Sequence, residues 1–296
     1  MNQYSIDALQ SALPRFANFK VLGQGGEGAV FAVWDRIRKA NLALKLMVDT
    51  GEPDLGERFE QEYAILAQSR SDRLVRVFDH GQAVIPLGDS VFNHYWYTME
   101  RCDGSVKTTY RGMPLARRVD VVLQMLDGLA FLHAKDIAHR DIKPDNIFLV
   151  EGQIKIGDFG LAKTHQAAQA GAAERYGSFM GSRPYLAPER WTGQQDADWR
   201  PSDQYAAGVT AFELLSAGGA PLDFGGSTDS CYRAHMLGQL FALAIPELMG
   251  RRVAEVDRAL GRMMAKGPEG RYPDIAVCKR ELTAAMAHEG VGGRGR

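Results

Sequence analysis

A short run of charged and polar residues, followed twelve residues later by a second carboxylate, constrains the fold of this chain more than any other feature. The run reads His-Arg-Asp-Ile-Lys-Pro-Asp-Asn over residues 139–146, and the second carboxylate is Asp158. Apolar stretches over 147–150 and 154–156 lie between them and are typical of strands. A hairpin of these strands would bring the last residue of the run and Asp158 to the same end. Because amide and carboxylate oxygens are Mg²⁺ ligands, the pattern indicates phosphoryl-transfer chemistry.

The same segment resembles the catalytic loop and the Asp-Phe-Gly motif of eukaryotic-type (Hanks-type) serine/threonine protein kinases. The resemblance implies that Asp141 orients the acceptor hydroxyl and that Lys143 places a cation near the γ-phosphoryl group. It also implies that Asn146 and Asp158 hold Mg²⁺, with Mn²⁺ as an alternative metal. In this family a lysine at the position of Lys143 marks serine/threonine kinases.

A glycine-rich stretch near the N-terminus forms a second motif. Residues 23–30 read Gly-Gln-Gly-Gly-Glu-Gly-Ala-Val, and Gly23, Gly25 and Gly28 would let the backbone approach phosphates closely. The rival interpretation is a dinucleotide-binding turn, but such a turn opens a helix. Residues 29–33 continue instead as a strand, so the context favours a hairpin over ATP.

Lys45 is the only cation in the otherwise apolar strand 42–47. A buried ammonium group needs an anionic partner. By resemblance, Lys45 binds the α- and β-phosphates and pairs with a glutamate of the following helix. Glu60 and Glu62 both lie in the helix that the apolar spacing predicts over 56–68, and the family pattern favours Glu62 as the catalytic partner.

The resemblance also assigns the adenine contacts. Residues 95–102 end at the expected hinge, where backbone groups of Glu100 and Cys102 would meet the adenine edge and Met99 would be the gatekeeper. Phe148 stands where the family usually has an aliphatic residue and would form the apolar floor. The full set of residues expected to bind the nucleotide is Gly23, Gly25, Gly28, Val30, Ala43, Lys45, Met99, Glu100, Cys102 and Phe148.

Residues 181–189 resemble the end of a kinase activation segment. The resemblance implies two buried contacts. Glu189 is expected to form a bidentate ion pair with Arg271. Asp203, in a helix predicted over 201–217, is expected to brace the backbone of residues 139–140.

The resemblance also implies control by phosphorylation, because kinases with this His-Arg-Asp form often pair a phosphate on the activation segment with the arginine, here Arg140. The candidate hydroxyl groups are those of Thr164, Tyr176, Ser178 and Ser182. The family pattern gives Ser182 a structural role and favours Ser178 as the phosphosite, with Tyr176 as second choice. The alternative is a segment that is ordered without modification.

The order of elements predicts an α+β fold with two lobes, as in the bilobal protein-kinase fold. Helices are expected over 6–13, 56–68, 117–135, 201–217 and 253–266, and strands over 19–22, 29–33, 42–46, 74–80 and 95–100. The predicted division is a short extension over 1–15, a β-rich N-lobe over 16–101, a mainly helical C-lobe over 102–287 and a flexible tail over 288–296. The Ala- and Gln-rich stretch 164–173 is predicted to be a mobile loop.

Composition narrows the cellular context. The chain has 35 basic and 36 acidic residues, so no overall field would attract nucleic acid or an anionic membrane. No apolar run approaches the roughly 20 residues of a membrane span. Three scattered cysteines suit a reducing compartment. We therefore expect a cytoplasmic protein. The family resemblance implies an enzyme whose partners are proteins with Ser or Thr hydroxyls and which phosphorylates itself; its oligomeric state is open.

Three functions are compatible with these motifs. An active Ser/Thr protein kinase would use Lys45, Asp141 and Asp158, all of which are present. A pseudokinase that only binds nucleotide typically lacks one of the three. A small-molecule phosphotransferase with the same fold generally lacks the Ala-Pro-Glu end of the activation segment, found here at 187–189. The sequence favours the protein kinase.

Overall fold

The computed structural model describes residues 4–25, 28–49, 55–87, 90–159, 163–164, 183–191 and 198–292. The chain divides into two compact units, Met1–Asp103 and Gly104–Arg296. The first is β-rich and the second mainly helical, which is the α+β class that the sequence predicts.

The first unit contains an antiparallel sheet of the strands β1 (Phe16–Gly25), β2 (Gly28–Asp35), β3 (Ala40–Val48), β4 (Val77–Leu87) and β5 (Ser90–Glu100). Their order in the sheet is β1-β2-β3-β5-β4. Its helices are α1 (Ile6–Ala12) and α2 (Leu55–Gln68). Every predicted strand and helix of this region has a counterpart.

The N-terminal helix α1 is part of the core of this unit. Leu9 and Leu13 are buried in the same apolar cluster as Phe16 and Phe31 of the first two strands. The predicted amphipathic helix is therefore confirmed, and it packs on the unit that follows it.

The β4–β5 hairpin is longer than the sequence predicts. The predicted strands stop at residue 80 and resume at 95, whereas β4 and β5 pair from Val77 with Met99 to Leu87 with Ser90. The intervening stretch contains Pro86, which removes a backbone donor. Because β4 is an edge strand, it accommodates this proline. Large apolar side chains, among them Val84 and Val91, lie exposed on the hairpin, so it is not a strand pair with one buried apolar face.

The second unit is built on helices. They are α3 (Leu115–His133), α4 (Pro188–Trp191), α5 (Arg200–Leu215), α6 (Thr228–Leu237), α7 (Ala254–Met263) and α8 (Ile275–His288). Short strands complete the unit: β6 (Gly104–Ser105), β8 (Ile147–Val150) and β9 (Gln153–Ile156) form one sheet, and β7 (Ile137–Ala138) pairs with β10 (Lys163–Thr164).

Helices α6 and α8 are absent from the sequence prediction, although both carry N-terminal capping signals. Ser227 and Ser230 form a reciprocal capping box at the start of α6. Asp274 accepts a hydrogen bond from the backbone of Val277 at the start of α8. The face that α6 buries consists of Cys231, Ala234 and His235 and is weakly apolar, whereas the buried residues of α8, namely Ile275, Cys278, Leu282 and Met286, recur at helical spacing and could have revealed that helix.

The end of the chain is ordered further than the sequence predicts. The flexible tail was expected from residue 288, but Val291 is 4% exposed. The Glu289 carboxylate accepts hydrogen bonds from the backbone N–H groups of Glu255 and Val256, at 3.1 and 3.4 Å, in the first turn of α7. Such a carboxylate satisfies donors that a helix start leaves unpaired, so residues 289–291 belong to the packed unit.

The predicted loop 164–173 also needs a correction at its first residue, because Thr164 pairs with Ile137 in the β7–β10 ladder. The rest of that stretch lies outside the described residues. Among the helices that the structure describes, none combines the length and the apolar character needed to cross a membrane.

Candidate active site

The hairpin β8–β9 places the two predicted metal ligands at one end. Ile147 is opposite Ile156, so Asn146 precedes the first strand at the end where Asp158 follows the second. The backbone N–H of Gly157 donates to the carbonyl of Asn146 at 3.0 Å and closes that end. The predicted strand–turn–strand arrangement is confirmed.

The Asp141 carboxylate lies in a compact polar cluster. Its Oδ2 atom accepts hydrogen bonds from Lys143 Nζ at 2.7 Å and from Asn146 Nδ2 at 2.9 Å. The same amide nitrogen donates to the Asp141 carbonyl at 2.8 Å, which directs the amide oxygen of Asn146 away from Asp141. Asp141 and Lys143 are 14% and 18% exposed, so a reactant can reach this ion pair.

The backbone around Asp141 is fixed by Asp203 of α5. Its two carboxylate oxygens accept the N–H groups of His139 and Arg140 at 2.8 and 2.7 Å, as the sequence predicts. Arg140 has φ of +72°, a left-handed conformation that costs free energy for a non-glycine residue. Asp203 offsets that cost. His133 Nε2, 2.9 Å from the same carboxylate, is a further partner that the sequence analysis missed.

His139 connects this loop to the segment that carries Asp158. It is fully buried, its Nε2 lies 3.1 Å from the Gly157 carbonyl, and its ring centroid is 4.7 Å from that of Phe159. Asp158 itself has φ of +62°. Two left-handed non-glycine residues so close to one polar cluster are typical of a functional site.

In the first unit, the expected nucleotide-binding side chains share one face of the sheet. Val30 is opposite Lys45, and Ala43 is opposite Met99. Side chains two residues apart on a strand, and side chains opposite each other on neighbouring strands, point to the same side. Lys45 is 7% exposed, and its Nζ lies 5.8 Å from the ring centroid of Tyr97 on that face.

Gly28 begins β2 in a conformation that only glycine adopts readily. Its φ is +131°, and an added Cβ would collide with the backbone carbonyl oxygen of Leu46. Gly23 pairs with Val30 in β1 and has no atom within 4 Å of the place its Cβ would occupy. The glycines of the motif therefore differ: the sheet requires Gly28, whereas Gly23 is open on its outer side.

The two candidate glutamates of α2 are separated by their surroundings. Glu60 is half-exposed, and its carboxylate lies 3.1 Å from Nε2 of His80 on β4. Tyr63 stacks on that histidine at 3.9 Å between centroids. The side chain of Glu62 lies outside the described residues, but on a helix it is about 200° around the axis from Glu60. Pairing of Glu60 with β4 thus leaves Glu62 as the expected partner of Lys45.

The expected hinge lies at the end of β5. Glu100 is anchored by Arg76: the Arg76 N–H donates to Oε1 of Glu100 at 2.7 Å, and the Glu100 N–H donates to the Arg76 carbonyl at 2.8 Å. The Cys102 thiol is 3.9 Å from the Glu100 carbonyl oxygen. Phe148 lies in the second unit, on β8, opposite Ser105.

The end of the predicted activation segment is tied to the second unit by the expected ion pair. Arg271 donates to both carboxylate oxygens of Glu189, and Ser202 donates to one of them at 2.7 Å. Burial alone would raise the pKa of Glu189, but these hydrogen bonds hold it below its ordinary value. The hydroxyls of Tyr176, Ser178 and Ser182 lie outside the described residues.

A second buried carboxylate, not anticipated from the sequence, lies near this segment. Glu213 of α5 accepts hydrogen bonds from Tyr185 at 2.6 Å, Tyr110 at 2.7 Å and Lys107 at 2.9 Å. Burial, with the Glu213 charge, raises the pKa of Tyr110 to about 12. A lone Glu in an apolar helix was the signal that could have revealed this cluster.

Comparison with known proteins agrees with this geometry. Residues 16–255 match the model of the protein kinase domain family. The chain is 34% identical over 277 residues to serine/threonine-protein kinase Pkn1 of Myxococcus xanthus, covering 90% of this chain and 37% of that protein. It is 30% identical over 300 residues to serine/threonine-protein kinase A of Synechocystis, covering 92% of this chain and 53% of that protein.

A third relative is serine/threonine-protein kinase PknB of Mycobacterium tuberculosis, 28% identical over 277 residues, which cover 90% of this chain and 42% of the relative. The chain thus spans between 37% and 53% of the length of these three relatives. The family match extends over most of the chain, from residue 16 to residue 255. This chain belongs to the protein kinase family.

Proposed function

We propose that the chain is an ATP-dependent serine/threonine protein kinase, which transfers the γ-phosphoryl group of Mg-ATP to Ser and Thr hydroxyls of proteins and of itself. The observation that carries the proposal is the cluster of Asp141, Lys143 and Asn146. Asp203 fixes the backbone next to this cluster by accepting the N–H of Arg140. A partly buried, positioned carboxylate beside a cation suits a reaction in which positioning and charge stabilisation supply most of the rate.

Within this cluster, Asp141 orients the acceptor hydroxyl and receives its proton late in transfer. Lys143 lies 2.7 Å from that carboxylate and would place a positive charge near the negatively charged oxygens of the transferred γ-phosphoryl group. Its hydrogen bond also keeps Asp141 in one rotamer. Lys143 and Asp141 thus act as one unit.

Asn146 and Asp158 are suited to hold a divalent metal ion. The register of β8 and β9 places both residues at the same end, and the Asn146 amide nitrogen is engaged by Asp141, which turns the amide oxygen outward. A carboxylate and an amide oxygen suit Mg²⁺ or Mn²⁺. When bound, the metal neutralises charge on the phosphates.

The first unit supplies the nucleotide contacts in this proposal. Val30, Ala43, Lys45 and Met99 share one face of the sheet, with Lys45 as its cation and Glu62 as the partner of Lys45. The backbone of Gly23, Gly25 and Gly28 approaches the phosphates closely. The backbone groups of Glu100 and Cys102 at the hinge contact the adenine edge. Phe148 of the second unit supplies the apolar floor.

The same proposal includes the enzyme's substrates, its cellular location and the control of its activity. The three relatives are named as serine/threonine-protein kinases, which supports Ser and Thr as acceptors. Cys102, Cys231 and Cys278 are free thiols, as a cytoplasmic protein would have. Phosphorylation of Ser178, with Tyr176 as second choice, would add charge that Arg140 can attract.

A transfer assay tests the function. Purified protein is incubated with γ-labelled ATP, Mg²⁺ and a generic basic protein, and the labelled protein is hydrolysed to identify its phosphoamino acids. We expect phosphoserine and phosphothreonine on both the added protein and the enzyme.

Other outcomes would identify the alternatives. ATP binding without transfer of label would indicate a pseudokinase. Consumption of ATP only when small metabolites are added, with unlabelled protein, would indicate a small-molecule phosphotransferase. Either result would overturn the proposed activity.

A further inference from the structure

The indole ring of Trp199, just before α5, contacts two buried guanidinium groups. The guanidinium carbons of Arg140 and Arg190 lie 4.5 and 4.2 Å from the ring centroid. Arg140, Arg190 and Trp199 are 9%, 2% and 8% exposed. An aromatic face attracts a cation, and the attraction strengthens as water is excluded. The ring therefore stabilises two charges that are costly to bury.

Trp199 is itself part of a fixed platform. Arg190 donates from Nε to Ser202 Oγ at 2.7 Å and from Nη2 to the Asp198 carbonyl at 2.6 Å. The Trp199 carbonyl accepts the N–H of Asp203 at 3.0 Å in the first turn of α5. The ring is thus held on one side by Arg190 and through its backbone by the helix that carries Asp203.

Arg140 receives two separate contacts from this platform. Asp203 binds its backbone N–H, and Trp199 contacts its side chain. The left-handed backbone of Arg140 requires such support, and the next residue is Asp141. A small cavity lined by Arg140, Asp141, Trp199 and Ser202 adjoins the contact.

We propose, on the basis of the kinase activity proposed above, that Trp199 is a positioning residue for Asp141 and acts through Arg140. Asp203 fixes the backbone before Asp141, and the indole fixes the side chain whose movement would rotate that backbone. The Asp141 carboxylate then keeps its place beside Lys143. This contact comes from within the fold, so it operates whether or not Ser178 carries a phosphate.

The test compares Trp199→Leu, which removes the aromatic face, with Trp199→Phe, which retains one. For Trp199→Leu we expect kcat about tenfold lower with an unchanged KM for ATP, because the lost cation–π contact with Arg140 loosens the backbone next to Asp141. Trp199→Phe should stay within about threefold of wild type because a smaller aromatic face remains. Phe131→Leu is the matched control. It removes an aromatic ring of α3 that also contacts a cation, since the Lys135 Nζ lies 5.3 Å from the ring centroid of Phe131.

A double-mutant cycle tests the route through Arg140. If the ring acts on Asp141 through that side chain, Arg140→Met combined with Trp199→Leu should lose no more kcat than the more impaired single variant. Additive losses would overturn the inference, as would wild-type kcat in Trp199→Leu or failure of Trp199→Phe to retain activity.

A measurement without catalysis separates this inference from the proposed function. Hydrogen–deuterium exchange of peptide 137–143 should be faster in Trp199→Leu than in wild type and in Phe131→Leu. Unchanged exchange would overturn the inference even in a protein that transfers no phosphate, whereas absent transfer by wild type overturns only the proposed function. If Trp199→Leu does not fold, Trp199→Met replaces it in each comparison.

Discussion

Arg271 donates two hydrogen bonds of 2.8 Å to the two carboxylate oxygens of Glu189, 82 residues earlier in the chain. Both side chains are buried, at 0% and 6% exposure. The pair fastens the end of the predicted activation segment to the helical unit. Its geometry is bidentate, so an arginine is needed in preference to a lysine.

Removal of one partner should therefore be costly. We expect Arg271→Met to lower the free energy of unfolding by about 3–5 kcal/mol, because Glu189 is left as an uncompensated buried charge. Urea unfolding measures this. The control is Arg258→Met, which breaks an exposed pair with Glu255 and should cost under about 1 kcal/mol. Equal losses in the two variants would contradict the buried role of Arg271.

His235 predicts a pH dependence of stability. It is fully buried; its Nδ1 lies 2.8 Å from the Tyr205 hydroxyl and its Nε2 lies 2.9 Å from the Arg183 carbonyl. Burial lowers its pKa to about 4. Below pH 6.5 the unfolded chain protonates this group while the folded chain does not. Stability should therefore fall between about pH 6.5 and 4, by on the order of 3 kcal/mol from this group.

The comparison is His235→Gln, which keeps a donor and an acceptor but does not titrate in this range. Its stability, measured by urea unfolding from pH 7 to 4, should depend less steeply on pH than that of wild type. His288→Gln, at the exposed end of α8, should retain the wild-type slope. An unchanged slope in His235→Gln would refute this assignment.

The glycine motif predicts a difference between two of its members. Gly28→Ala should lower the melting temperature, since the new Cβ meets the Leu46 carbonyl and the residue must keep φ of +131°. The expected cost is about 1–3 kcal/mol. Gly23→Ala has open space around its Cβ and should melt as wild type does. Scanning calorimetry of the two variants measures the difference, and equal melting temperatures would contradict it.

The nucleotide site predicts separate roles for the two glutamates of α2. Lys45→Met should lower kcat by about 10²-fold even at saturating ATP, because a phosphate cation is lost. Glu62→Gln should also lower kcat. Glu60→Gln should have a nearly normal kcat, since Glu60 contacts His80 on β4. Steady-state kinetics decide this. Impairment of Glu60→Gln alone would move the ion pair to Glu60.

Much of the site was predictable because its chemistry lies in contiguous motifs. The run over 139–146 and the short distance to Asp158 fix a hairpin, and the register of Ile147 with Ile156 confirms it. The contacts of Asp203 and the Glu189–Arg271 pair followed from the family resemblance and are confirmed.

Other features could not be predicted, because they depend on contacts between residues far apart in sequence. In the sequence Trp199 has no feature that distinguishes it from other apolar residues, because its contacts with Arg140 and Arg190 exist only in the folded chain. The Glu213 cluster joins three partners from separate elements. The long β4–β5 hairpin was not predicted in full because a proline counts against a strand, whereas the edge position of β4 tolerates Pro86.

The proposed phosphoryl transfer depends on Asp141, and the Asp141→Asn variant, assayed for both ATP binding and phosphoryl transfer, tests this dependence directly. Asparagine keeps the size of the side chain but cannot accept the hydroxyl proton as a carboxylate does. We predict that transfer to a generic basic protein falls by several orders of magnitude while the Kd for Mg-ATP changes little, because Asp141 meets the acceptor and not the nucleotide. Transfer at the wild-type rate, or loss of ATP binding in a folded variant, would contradict the role assigned to Asp141.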